Sequence, residues 1–121
     1  DFTCKTDKSP AFIGREAYLR RKAEATGPYL CAVRLKDSAP LMHHNEPVLR
    51  DGKVVGYVTS GAFSAHFHCA VGLCFIDLPA ATQGKAAIAS GEYTVMIEGE
   101  PIAAEVSMQS FYDPLNERML S

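Results

Sequence analysis

At 121 residues, 47% of them hydrophobic and 21% charged, the chain has the size and mix of one soluble globular domain able to bury its own core. A formal net charge of −2 leaves no basic footprint for nucleic acid. No run approaches the ~18 apolar residues of a membrane span, and the polar start DFTCKTDKSPAF, without an initiator Met, suggests a processed chain or an excised domain rather than a secretory leader.

The first element in chain order is a helix over about 14–25, GREAYLRRKAEA, rich in helix formers, with Glu16 and Arg20 in the favourable i,i+4 order. Thr26-Gly27-Pro28 stops it, Gly as C-cap and Pro as a residue that cannot continue. Phe12, Leu19 and Ala23 form a thin apolar stripe, so the helix is expected to lie on another element. Everything from 29 to 108 has strand character. YLCAVRLK alternates, with Leu30, Ala32 and Arg34 on one face and Cys31, Val33 and Leu35 on the other. EPVLR and VVGYVTS flank Asp51-Gly52, a hairpin turn that needs positive φ. CAVGLCFID is apolar on both faces and should be central. EYTVMIE and PIAAEVSM flank Gly99 in a second hairpin. About six short strands at regular spacing predict a mainly β fold: an N-terminal helix followed by a small antiparallel barrel or sandwich. The tail at about 109–121 has turn chemistry at Asp113-Pro114 and should run over the surface.

The densest chemistry lies in His66-Phe67-His68-Cys69, with His43-His44 in an earlier loop. On a strand His66 and His68 would share a face while Cys69 pointed away. Adjacent His43 and His44 could offer one further ligand at most, short of the usual four for zinc, so no metal site is expected. A catalytic thiol needs partial exposure and an oriented base, and Cys69 opens an apolar strand instead. The G-x-S-x-G elbow and the glycine-rich phosphate loops are absent, and the carboxylates are scattered singly. The HFH segment is therefore expected to be a polar turn facing solvent. Cys4, Cys31, Cys69 and Cys74 lack C-x-x-C spacing and mostly sit in apolar runs, which suits reduced, buried thiols in a reducing compartment. From the residues alone no catalytic set emerges.

The order of motifs carries more information than any one of them. FIGREA, MHHNEPVLRDGKVVGYVTSGAFS, a long apolar strand and EGEPIAAEVSMQSFYDPLNERML follow one another across nearly the whole chain. This succession closely resembles the C-terminal barrel domain of the aminomethyltransferase family, whose type member is the T protein of the glycine cleavage system. The ending SFYDPLNER is more similar to the branch fused to flavin-dependent dimethylglycine and sarcosine dehydrogenases. The resemblance implies a six-stranded antiparallel Greek-key barrel spanning 1–121 with its helix and tail. It also implies a parent that carries one-carbon units on tetrahydrofolate, with FAD in an absent domain. The family's catalytic aspartate belongs to a preceding domain, so this chain by itself is expected to be catalytically silent. Its partners would be the preceding folate-binding domains, in the cytoplasm or, in a eukaryote, the mitochondrial matrix. Arg118 and Tyr112 are the implied folate-channel candidates, a solvated tail arginine being the bland alternative. Asp113 departs from the family pattern, which carries its arginine nearer the conserved Phe. Family turn residues are replaced at His44, Asn45, Ala65 and His68, and His44 at positive φ would be strained. A stand-alone, non-catalytic interaction domain with the same barrel is the alternative.

Overall fold

The alternation in YLCAVRL sets the frame of the fold. In a computed structural model, which describes residues 5–24, 27–79 and 84–120, the strand β1 (Tyr29–Leu35) buries Cys31, Val33 and Leu35 and turns Leu30, Ala32 and Arg34 outward. Five further strands follow: β2 (Pro47–Arg50), β3 (Lys53–Ser64), β4 (Cys69–Ile76), β5 (Tyr93–Ile97) and β6 (Glu100–Ser107). They close into an antiparallel barrel in the order β1-β4-β3-β2-β5-β6, with β6 returning to β1. The meander β2-β3-β4 is followed around the barrel by β1 beside β4, which is the Greek-key arrangement. The expected fold class is the one found.

Two hairpins rest on left-handed residue pairs. Asp51 and Gly52 have φ of 50° and 77°, and Glu98 and Gly99 have 50° and 85°, the double positive φ of a turn whose twist matches its strands. The strand β3 outruns its sequence expectation. VTSGAFS continues the ladder from Ser60↔Leu73 to Ser64↔Cys69, so the polar segment shrinks to a turn at 65–68. Register shifts at Val58/Ser60 and Val48/Leu49 mark bulges, which raise local twist and help a short sheet curl shut. At Gly56 a Cβ would land on the Phe75 carbonyl, so the close approach of β3 to β4 requires glycine there.

The interior is filled by inward residues of every strand, among them Val33, Val48, Val58, Ile76, Val95 and Val106. Tyr29 pairs with Ile76, so β4 ends where β1 begins, and the two crossing connections lie at opposite ends of the barrel. Met42, in the β1–β2 connection, joins the core at one end. Ile88, on the short helix α2 (Lys85–Ala89) that sequence reasoning missed, joins it at the other. The leading helix α1 (Arg15–Glu24) forms where expected, with Ala25 and Thr26 lying outside the described residues. It buries no residue, so its thin apolar stripe does not lie on the barrel. Among the described residues no helix is long and apolar enough to cross a membrane.

Three buried cysteines are free thiols, Cys31, Cys69 and Cys74, while Cys4 lies outside the described residues. Cys31 and Cys74 face each other across β1 and β4. Burial pushes the Cys31 thiol up to about 11, and burial together with Cys31 pushes Cys74 up to about 12, from an ordinary value of 9.0. Burial likewise raises the Tyr93 hydroxyl, which is enclosed without a hydrogen-bond partner. Below pH 9 these groups are protonated folded or unfolded. As pH rises past 9 only the unfolded thiols ionise, so stability falls by up to about 1.4 kcal/mol per pH unit for each thiol. The urea midpoint should therefore drop steeply between pH 9 and pH 10.5, and a Cys31→Ala/Cys74→Ala variant should show a shallower drop over the same range.

Candidate functional site

The β3–β4 turn, β1 and the C-terminal tail meet at one place on the outside of the barrel. The tail leaves β6 beside β1, where Met108, Gln109 and Ser110 border Leu30 and Ala32. It then doubles back, and Ser110, Phe111 and Tyr112 border Ser64, Phe67 and Val71. Two grooves of about 370 and 340 Å³ run between tail and sheet, both lined without a charged side chain.

Arg34 fixes this meeting point. Its guanidinium carbon lies 5.0 Å from the centre of the Phe67 ring and 4.9 Å from that of Phe111, and these rings stand edge to face at 6.5 Å. Arg34 Nη2 donates to Glu105 Oε2 at 2.5 Å, across the β1–β6 pairing that sets Arg34 opposite Glu105. Both partners are partly exposed, so this ion pair orients the guanidinium more than it stabilises the fold. Phe67 is braced in turn by its backbone N–H, which donates to Ser64 Oγ at 3.4 Å.

The contact continues along the tail. His66 stands edge-on to Phe67 at 4.7 Å and to Tyr112 at 4.9 Å. Arg118 Nη1 donates to Tyr112 Oη at 2.6 Å, and its guanidinium lies 5.4 Å from the Tyr112 ring centre. Thus Tyr112 and Arg118, singled out from the sequence, are brought together. Arg118 sits on α3 (Glu117–Leu120), a single turn whose N–H groups at Glu117 and Arg118 donate to the Asp113 carboxylate at 2.9 and 3.2 Å. That gives Asp113, with φ 45°, a local role as the anchor of this turn. Arg34, Phe67, Phe111 and Glu105 were missed. The available signal was the lone arginine on the otherwise apolar outward face of YLCAVRL.

The histidines do not form a ligand set. His66 and His68 are exposed on the turn while Cys69 is buried at the start of β4, and among the described residues no three His, Cys, Asp or Glu side chains gather as a metal site would require. The turn expected to be merely solvated is a docking point, since His66 and Phe67 carry the tail. His68 adopts φ 53° to close it. In the earlier loop the positive φ falls on Asn45, at 69°, and not on His44. Glu46 organises that loop, its Oε1 accepting the His43 N–H at 2.8 Å and its carbonyl accepting the Val58 N–H at 2.9 Å.

Residues 29–113 match the Glycine cleavage T-protein C-terminal barrel domain. The chain belongs to that family. It is 35% identical to the 4-methylaminobutanoate oxidase (formaldehyde-forming) of Paenarthrobacter nicotinovorans, over 98% of this chain and 14% of that protein. It is 30% identical to the mitochondrial sarcosine dehydrogenase of Mus musculus, over 98% of this chain and 13% of that protein. An aminomethyltransferase of Desulforamulus reducens is 28% identical over 92% of this chain and 28% of its own length. The fold is shared with the crystal structure of glycine cleavage system aminomethyltransferase T from Bartonella henselae, at a TM-score of 0.59 and 22% identity over 79% of this chain and 25% of that one. The chain therefore spans between about an eighth and under a third of these relatives.

Arg34 contacts both rings that join tail to turn, so removing it should release the tail while leaving the barrel closed. Arg34→Ala is expected to speed limited proteolysis within residues 109–120 by about five-fold, consistent with loss of about 1 kcal/mol of cation–π and packing energy. Arg34→Lys, which keeps the charge and loses the planar fork, should fall between.

Proposed function

We propose that this chain is the C-terminal accessory domain, residues 1–121, of a larger tetrahydrofolate-dependent aminomethyl-transfer enzyme of the dimethylglycine or sarcosine dehydrogenase kind. The observation that carries this reading is membership of the T-protein barrel family together with the small share of each relative that the chain spans. A barrel of this kind closes a site whose reacting groups come from preceding domains of the same polypeptide.

The tail offers chemistry that suits folate. Tetrahydrofolate joins a flat heterocycle and an aromatic ring to glutamate carboxylates. The Arg118 guanidinium and Tyr112 hydroxyl, held 2.6 Å apart, lie beside an apolar groove bordered by Ala32, Val71 and Leu73. In this arrangement Arg118 meets a carboxylate and Tyr112 orients the guanidinium. When bound, the folate supplies the nitrogen atoms that carry the one-carbon unit. FAD fits nothing in this chain, which has no glycine-rich turn to cradle a diphosphate, and it belongs to a preceding domain. The parent acts in the mitochondrial matrix of a eukaryote or the cytoplasm of a bacterium, the first in keeping with its mitochondrial relatives.

Isothermal titration separates the roles. The 121-residue chain should give no measurable heat with tetrahydrofolate, whereas the longer parent should bind it. Arg118→Met in the parent should weaken that binding by about ten-fold, the worth of one charge-assisted hydrogen bond. Tight binding by the short chain would overturn the accessory role, and an unchanged Kd in the Arg118→Met parent would remove Arg118 from the site.

A further inference from the structure

An antiparallel barrel in water normally alternates apolar inside with polar outside, and this one departs from the rule along a continuous strip of β1, β4 and β3. Side chains directly opposite one another share a face, so the pairs Leu30↔Phe75 and Ala32↔Leu73 both point outward. On the other side of β4, Tyr57↔Phe75 extends the same strip, with the two rings 5.9 Å apart. Leu73, on the middle strand β4, remains 42% exposed, and Tyr57, on β3, remains 47% exposed. The tail shields one margin and leaves the rest open.

We propose that this outward face of β1, β4 and β3 is the surface on which the polypeptide upstream of Asp1 packs. The inference rests on the reading of the chain as one domain of a larger protein and names the surface by which it joins the rest. Three observations select the occupant. First, the relatives are several-fold longer than this chain, so most of such a protein lies outside it. Second, the backbone enters the barrel at Pro28, and Pro28 lines the same groove as Leu30, Ala32 and Leu73, so the chain reaches the barrel beside this face. Third, α1 has ten residues, none of them buried, below the ~12–15 at which an isolated helix holds in water. The described residues of the barrel bury none of its side chains, which leaves α1 available to pack with the same upstream polypeptide. Both grooves on this face lack charged lining, which suits an aliphatic or aromatic surface and not a charged one.

Hydroxyl-radical footprinting of the longer parent, read by mass spectrometry, tests this directly. Leu115 and Leu120, 66% and 82% exposed on the tail, serve as internal standards. After correction for intrinsic reactivity, Leu73, Phe75 and Tyr57 should be oxidised at least about five-fold more slowly than these standards, as side chains removed from water are. The protection should not change with protein concentration. Oxidation of Leu73 and Tyr57 at the rate of the standards would overturn the proposal. So would protection that grows with concentration, since that assigns the face to a second copy. Tetrahydrofolate titration of the same sample keeps the two readings apart: failure to bind folate with protection intact would remove the folate role and leave the interface standing.

Discussion

A strand in a closed barrel has an inside and an outside, and β4 is apolar on both. Its inward residues, Ala70, Cys74 and Ile76, are fully buried with the valines of the neighbouring strands. Its outward residues, Val71, Leu73 and Phe75, must find cover or remain a cost against water. The period-two pleat forbids any compromise, because a slip of one residue would exchange the two sets without reducing their number. Much of what lies outside the barrel answers to this constraint. The tail folds back over one margin of the strip, and the register that seats Cys74 inside also sets Leu73 against Ala32 outside.

The tail needs an anchor at the far end of its path, and the β3–β4 turn provides one. Loops on a rigid barrel are free to vary, and this turn carries three ring-bearing side chains in a row, His66, Phe67 and His68. The turn sets His66 against Tyr112 and Phe67 against Phe111, with Arg34 against both Phe rings. Each contact is modest alone, and the exposed Arg34–Glu105 pair adds orientation more than energy. Together they fix where Tyr112 and Arg118 stand. The imidazole-rich segment is thus a tail clasp, built from aromatic faces and one guanidinium, in which His66 acts as a ring.

The strands were legible because their physics is local. Alternation in YLCAVRL, Asp51-Gly52 between apolar runs and Gly99 between two more are signals carried by a few neighbouring residues, and the strands formed around them, with β3 alone running well past its expected end. Elements that depend on distant partners were harder to see. The extension of β3 through Ser64 comes from pairing with β4, not from the propensity of SGAFS. The helix α2 is too short for a periodic signal, and its one buried side chain, Ile88, matters because the barrel end needs filling. In the candidate site, Arg118 and Tyr112 could be named from motif order. The Arg34 contact joins residues 34, 67, 105 and 111, and nothing in the sequence marks them as neighbours until the barrel closes. The expectation that α1 rests on another element found no such element in the barrel, which moves the question to the rest of the protein.

The central claim is that the outward face of β4 is an interface and not a surface. The most direct measurement compares Leu73→Ser in the 121-residue chain and in the longer parent, by denaturant unfolding of each. A half-exposed leucine in the short chain should lose little, whereas the same residue buried in the parent should lose about 1.5–3 kcal/mol of barrel stability. Equal losses in the two proteins, or none in the parent, would contradict the account.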